Sequence, residues 1–344
     1  MTIVAFQDDA AGMPSASAAA ADWHAVMADA VTDLDQLCRL VGLPDSLTAP
    51  SQEACQAFPL RLPKPYLARI QPGNPQDPLL LQVLPQTDEL YPQPCFSTDP
   101  VSDRKTTRWP GVLWKYPGRL LIVASQGCAV HCRFCFRRHF RCRSAFADGE
   151  HWGRLLRRIR REPSIHEVIL SGGDPLTLDD AVLAGVVDEL AAIPHLQRVR
   201  VHSRLPIVIP QRVTEDLVAW MQHARLTVIL VVHVNHPAEI DGPVAAALGR
   251  LVDGGVPVLS QSVLLRGVND RVEVLAELFE RLVNLRVMPY YLHQLDRVKG
   301  AAHFEVPEQF GIEFVRQLRA RLPGYAVPRY AREIAGEPSK RVLA

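Results

Sequence analysis

Long hydrophobic runs are missing from this chain of 344 residues, and with them the raw material of a membrane-spanning helix. A basic leader with an apolar core is missing too, because the opening "MTIVAFQDD" carries acids where a secretory signal carries cations. Both absences lead to the expectation of a cytoplasmic protein with no membrane partner. Excess charge of either sign is also lacking: 38 basic residues face 37 acidic ones, for a net charge of +1, so the chain as a whole is no trap for nucleic acid or anionic lipid. A disulfide framework is not evident. Seven cysteines is an odd number, and three lie within eight residues while Cys38, Cys55, Cys95 and Cys142 are scattered, which suits a metal site in a reducing compartment. Lysine is scarce. Lys64, Lys105, Lys115, Lys299 and Lys340 are the five candidates for any lysine chemistry.

What remains, 48% apolar and 22% charged residues, is ordinary for a globular protein. Residues 1–110 are Pro-rich and weakly periodic, with an Ala-rich start and one predicted helix over "DWHAVMADAVTDLDQLCRLVG", and read as a mainly helical, irregular N-terminal region. Over residues 111–322 short β-branched runs alternate with amphipathic helical ones: "RLLIVAS", "EVILSG", "RVRVHS", "LTVILVVHV", "VPVLSQSV" and "RVMPYYLHQ", each followed by a helix pattern. Six β-α units require a parallel sheet with helical crossovers, either doubly wound or an incomplete barrel. Polar residues close all six strand runs, Cys128, Gly172 to Asp174, Ser203, His233, Gln261 and His293 to Asp296 among them. A doubly wound sheet gathers its ligand groups at one switch point, so the α/β architecture expected is an incomplete (β/α)6 barrel. Residues 323–344 form a short C-terminal segment.

The stretch "SQGCAVHCRFCFRRHF" places Cys128, Cys132 and Cys135 in a C-x3-C-x2-C pattern directly after the first strand run. A dithiol redox pair needs two cysteines and a structural zinc site needs four ligands, which here would have to include Cys142, His131 or His139. A four-iron cluster has a use for three, because the iron left without a thiolate stays open to a ligand. "RRHFRCR" is too short a basic stretch in a neutral chain to mark a nucleic-acid site.

The C-x3-C-x2-C loop after the first strand of a β-α repeat resembles the radical S-adenosylmethionine superfamily, and "SGGDPL" is similar to its Gly-Gly-Glu turn. With "KYPGRLLIVASQGCAVHCRFCFRR", "RVHSRLPIVIPQRVT", "HVNHPAEI", "QSVLLRGVND" and "PYYLHQLD", the chain from about residue 79 to residue 340 resembles the lysine 2,3-aminomutase family. The resemblance implies a [4Fe-4S] cluster on Cys128, Cys132 and Cys135. It implies S-adenosyl-L-methionine held near Gly172, Gly173, Asp174, Ser203, His233 and Gln261, and a reductant such as flavodoxin or ferredoxin. It also implies pyridoxal 5'-phosphate on Lys340, with Lys115, Tyr116 and Arg119 at the phosphate and ring. Arg137 would clamp the carboxylate of free L-lysine, while Asp296 and Glu333 would take its distal ammonium.

Three departures from the family pattern stand out. "GEPSK" replaces a polyglycine stretch before Lys340; Glu333 stands where the family has an aspartate; and Arg271 in "GVNDR" stands where longer members carry a zinc cysteine. The short form with "AREIAGEPSK" is similar to the branch that makes (R)-β-lysine from (S)-α-lysine for elongation factor P, to which a separate ligase attaches it. The expected activity is therefore an isomerase that moves an amino group from Cα to Cβ, with the N-terminal region as a cover against water. An aminomutase for another amino acid such as glutamate is one alternative, a cluster-bearing scaffold that binds the translation factor without catalysis is another, and a nucleic-acid methylating enzyme is a third. The sequence leaves open whether the chain forms a homo-oligomer.

Overall fold

The computed structural model describes residues 22–44, 48–140, 142–146 and 148–344. The Ala-rich start and the acidic leader considered above lie outside the described residues. One ten-stranded sheet organises the chain: β1 (Thr107–Trp109), β2 (Val112–Tyr116), β3 (Arg119–Ser125), β4 (Glu167–Gly172), β5 (Arg198–Ser203), β6 (Thr227–His233), β7 (Val258–Val263), β8 (Met288–His293), β9 (Arg329–Arg332) and β10 (Arg341–Val342). The spatial order equals the chain order, so there is no reversal and no switch point. From β3 to β9 every pairing is parallel, while β1, β2 and β3 form an antiparallel edge and β10 turns back on β9. β1 and β10 remain the two edges, which is an incomplete barrel rather than a closed one.

All six expected strands form, and the crossover helices follow them at Gly149–Arg160, Asp180–Ala191, Glu215–His223, Gly242–Asp253, Val272–Asn284 and Glu308–Arg321. Local chemistry sets several of their starts. Asp148, Thr214 and Asp241 accept from the backbone N–H groups of Glu150, Leu217 and Val244, satisfying donors that a first helical turn leaves orphaned. Each helix then buries an apolar stripe, Leu155 and Ile159 in the first and Leu275, Leu278 and Leu282 in the fifth, against the outer face of the sheet.

The strand period of two decides what faces inward. In β5, Val199, Val201 and Ser203 are buried against the outer layer, whereas Arg200 and His202 alternate with them on the inner face. In β7 the same alternation sends Gln261 and Val263 inward.

Two expectations are corrected. The N-terminal helix is two helices, Trp23–Ala28 and Leu34–Val41, because Asp33 caps the second one through Gln36 N and Val31 bridges to Leu62 instead of continuing the first. The sheet also begins at Thr107, before residue 111, and it extends into the C-terminal segment through β9 and β10.

Candidate active site

The inner faces of the strands surround a cavity of about 430 Å³. Its walls come from β2 through β8 and from residues 333–342, so the short C-terminal hairpin supplies one side. Among the described residues none of those lining the cavity precedes Leu113, although Asp103 of the N-terminal region pairs with the lining Arg137 and Lys115. The N-terminal region also packs on the cysteine loop: His131 N donates to Arg61 O at 3.0 Å and Arg133 N to Gln82 O at 2.9 Å.

The loop after β3 is stitched to the end of β4. Gly173 N donates to Ser125 O at 2.7 Å and Asp174 N to Gly127 O at 2.8 Å. Gly172 has φ +110, and a Cβ on Gly173 would stand 2.3 Å from Gly127 O, so both glycines are needed for the two backbones to meet. Asp174 is fully engaged: it accepts from Ser203 Oγ at 2.7 Å, Arg204 N at 2.7 Å and Leu176 N at 3.0 Å. Gly172, Gly173, Asp174 and Ser203 therefore shape the loop from behind and do not line the cavity, Ser203 because its position in the strand alternation points it outward. Cys132, Cys135, His233 and Gln261 do line it.

Burial pushes the Cys128 thiol well up, and Cys135, Asp174 and Cys132 add to the shift by their charges. Burial and then Cys132 likewise push Cys135 up to about 11. A cationic centre favours the thiolate forms of Cys128 and Cys135 against this burial, and the irons of an iron-sulfur cluster supply one to a set of thiolate donors. Arg204 adds a fixed cation at this end, its guanidinium 2.6 Å from Cys132 Sγ and held by Gln82 Oε1 at 2.6 Å and Glu239 Oε2 at 3.0 Å. The cysteine loop thus fits a cluster.

At the other end of the cavity, charged side chains alternate in sign. Arg137 Nε donates to Asp103 Oδ2 at 2.8 Å, and Asp103 Oδ1 lies 2.5 Å from Lys115 Nζ. Lys115 Nζ also contacts Glu333 Oε1, and Lys340 Nζ donates to Glu333 Oε2 at 2.8 Å. Arg137 reaches Ser171 Oγ at 3.2 Å as well. Burial works to raise the Glu333 carboxyl, but the ammonium groups of Lys340 and Lys115 outweigh it and bring it down to about 2. Asp296 has no such ion pair among the described residues: burial lifts it to about 7, only partly relieved by Lys340 and further raised by Glu333. Tyr116 lines the same end with its hydroxyl unpaired, and Arg119 stacks on its ring at 4.8 Å.

The structure thus brings Lys115, Tyr116, Arg119, Arg137, Asp296, Glu333 and Lys340 into one chamber with Cys132, Cys135, His233 and Gln261. A lysine beside cations suits a phosphorylated aldehyde, and the unpaired Tyr116 hydroxyl offers it a donor, so these residues fit pyridoxal phosphate. Sequence reasoning did not assign Asp103, which joins Arg137 to Lys115, nor Arg200 and His202. The last two could have been found from the alternation in "RVRVHS"; Asp103, in a four-residue helix of a Pro-rich stretch, carries no local signal. Burial keeps His202, His233 and His293 neutral, His233 down at about 3, and the Nε2 atoms of His202 and His233 have no partner. The chamber therefore presents neutral donors or acceptors between a thiol end and an ionic end.

Known proteins similar to this chain form one group. Residues 122–279 match the radical SAM superfamily. The L-lysine 2,3-aminomutase of Escherichia coli K12 is 46% identical, with 94% of each chain covered. That of Haemophilus influenzae is 43% identical over 94% of this chain and 96% of its own. The L-lysine 2,3-aminomutase of Clostridium subterminale is 35% identical over 93% of this chain and 77% of its own.

Proposed function

The chain belongs to the lysine 2,3-aminomutase family of radical S-adenosylmethionine enzymes, and from that premise we propose that it converts free (S)-α-lysine into (R)-β-lysine. As a radical S-adenosylmethionine enzyme and an isomerase, it uses a [4Fe-4S] cluster and S-adenosyl-L-methionine. We assign the cluster to Cys128, Cys132 and Cys135, and pyridoxal phosphate to Lys340 with Lys115, Tyr116 and Arg119 at its phosphate and ring. When bound, these groups supply a radical able to take hydrogen from Cβ and a conjugated nitrogen able to migrate.

The chain's own residues bind and orient. Beyond its Nε contact to Asp103 and its Nη1 contact to Ser171 Oγ, Arg137 keeps further N–H donors with which to hold a substrate carboxylate. Asp296 and Glu333 line the same chamber as two acids for one distal ammonium. Two opposite unit charges 4 Å apart attract by roughly 4 kcal/mol at an effective dielectric of 20, before desolvation. Glutamate would set a carboxylate against both acids, so the glutamate reading finds no support in this lining. Neutral His202, His233 and His293 line the chamber with Phe134 and Tyr291, an uncharged stretch of wall beside which a bound ligand would displace water from around a radical.

The single observation that carries the reading is that Lys340, Glu333, Asp296 and Arg137 share one cavity with the cysteine loop. The likeness of "AREIAGEPSK" to the β-lysylation branch supports a further step, in which a ligase passes the product to elongation factor P. Anaerobic incubation with reductant, S-adenosylmethionine, pyridoxal phosphate and L-lysine or L-glutamate, followed by chromatography, tests the proposal. β-Lysine from lysine alone is expected; β-glutamate, or 5'-deoxyadenosine without any β-amino acid, would overturn it.

A further inference from the structure

Arg204 was not assigned from the sequence and does not line the chamber, yet its guanidinium reaches the cysteine loop from behind, with Nη1 2.6 Å from Cys132 Sγ. The sulfurs of Cys128 and Cys135 face backbone N–H groups, those of Asp174 and Arg137, whereas Cys132 faces a cation. The far side of that cation is held in several ways at once. Nη2 donates to Gln82 Oε1 at 2.6 Å, Glu239 Oε2 at 3.0 Å and Tyr66 Oη at 3.4 Å, and the Tyr66 and Phe134 rings stand 5.5 and 5.6 Å from the guanidinium carbon. The Arg204 backbone N–H is taken by Asp174 Oδ2 at 2.7 Å. Glu239 is committed too, its Oε1 accepting from Asn235 N at 2.9 Å and Gln82 Nε2 at 3.2 Å. Arg69, the other cation packed here, spends its Nη donors on the backbone oxygens of Glu239 and Ile207. Gln82, Glu239 and Tyr66 all lie outside the chamber lining, so the pose of Arg204 is set by the N-terminal region and the turn after β6, and not by what enters or leaves the cavity.

We propose that Arg204 is a positioning residue for the cluster: it gives the Cys132 sulfur a fixed, charge-assisted hydrogen bond and thereby raises the potential at which the cluster takes up its electron. The inference rests on the assignment of the cluster to Cys128, Cys132 and Cys135 made above. One added electron makes the cluster and its thiolates more negative by one charge, spread in part onto the thiolate sulfurs. A cation with an N–H aimed at one of those sulfurs stabilises the reduced form more than the oxidised form, and hydrogen bonds to the sulfurs are among the levers that set such potentials. A lysine at this position would keep the charge but not the planar fork, which here reaches the sulfur from one nitrogen and Gln82, Glu239 and Tyr66 from another. Gln82 and Tyr66 belong to residues 1–110, so the N-terminal region, which supplies no lining residue among those described, acts on the chemistry by holding Arg204 against the loop.

The test is a potentiometric titration of the anaerobically reconstituted full chain, read by electron paramagnetic resonance of the reduced cluster. Arg204→Met is expected to lower the ratio of reduced to oxidised cluster at a fixed poise by at least about tenfold, which is 59 mV for a one-electron couple, and Arg204→Lys to fall between that variant and the wild type. An unchanged or higher midpoint in Arg204→Met would overturn the proposal. A second measurement uses the wild type alone and so does not depend on how the variants fold. With arginine labelled by nitrogen-15 in its guanidinium, pulsed paramagnetic resonance of the reduced cluster should show coupling to that nitrogen, and its absence would overturn the proposal equally. Failure of the cluster assignment is read separately, from iron content: a Cys132→Ala variant that keeps the full iron complement contradicts the assignment, whereas a normal iron content with an unmoved potential in Arg204→Met contradicts the role of Arg204 alone.

Discussion

Two buried charge networks lie on either side of the cysteine loop, and they are built to opposite rules. On the N-terminal side, Glu89 accepts from Arg133 Nε at 2.8 Å, Arg133 Nη2 at 2.6 Å and Arg138 Nη2 at 2.6 Å. Further donors of those arginines reach the backbone oxygens of Phe58, Ala54 and Gly300, and both guanidinium groups stack on the Phe58 ring, while Arg138 Nε finds no partner among the described residues. Arg133 is fully buried, and each of its three guanidinium nitrogens has a partner. On the cavity side, Arg137, Asp103, Lys115, Glu333 and Lys340 form a chain of side chains with few backbone locks, ending beside an unpaired Asp296. A satisfied buried network fixes structure, whereas an incompletely satisfied one beside a cavity is costly unless a ligand completes it. The first clamps the loop to the scaffold; the second is the network to which the proposed function assigns cofactor and substrate.

The sharpest way to separate the two is to remove one member of each. Lys340→Ala should lower β-lysine formation by on the order of 10³-fold or more, since the cofactor loses its covalent anchor, while the melting temperature stays close to wild type. Glu89→Ala should do the reverse in kind. Stranding Arg133 and Arg138 without their acid is expected to cost about 3–5 kcal/mol of stability, read by denaturant unfolding, with iron retention falling as the loop loosens. If Glu89→Ala unfolded at the wild-type midpoint, the contrast would be gone.

A pH profile sharpens the cavity side. Burial holds the Asp296 proton to about pH 7, and only the ionised form attracts an ammonium. The KM for lysine should therefore fall by roughly tenfold as pH rises from 6 to 8 in the loaded enzyme, about one pKa unit's worth of binding, and Asp296→Asn should flatten that limb. The sign for stability is opposite. The folded chain keeps this proton from 3.8 to about 7 while the unfolded chain releases it, so without ligand this group lowers stability as pH rises through that window. The smallest effect belongs to the exposed Arg154 and Glu150 pair on the helix Gly149–Arg160, where Arg154→Ala should change stability by about 0.3–0.5 kcal/mol, a control for charge removal as such.

The parallel strands were legible because β-branched runs such as "EVILSG" and "LTVILVVHV" are bounded by helix patterns long enough to cross over. β1, β2, β9 and β10 were not, since strands of two to five residues at an antiparallel edge carry too few alternations to show a period. The break between Trp23–Ala28 and Leu34–Val41 was hidden because Asp29 and Asp33 sit within a run whose apolar spacing continues across them. Within the site, strand parity turns some residues of the quoted blocks toward the cavity, as with Gln261, and others away from it, as with Ser203. Asp103 could not be seen, because its partners Arg137 and Lys115 are 34 and 12 positions away and only the fold brings the three together.

Two lysines share Glu333, and the account depends on which of them carries the vitamin B6 aldehyde. Borohydride reduction of the protein treated with pyridoxal phosphate, followed by peptide mass spectrometry, decides it. A phosphopyridoxyl group on Lys340, with Lys115 unmodified, is the result predicted; labelling of Lys115 in its place, or of neither lysine, would contradict it.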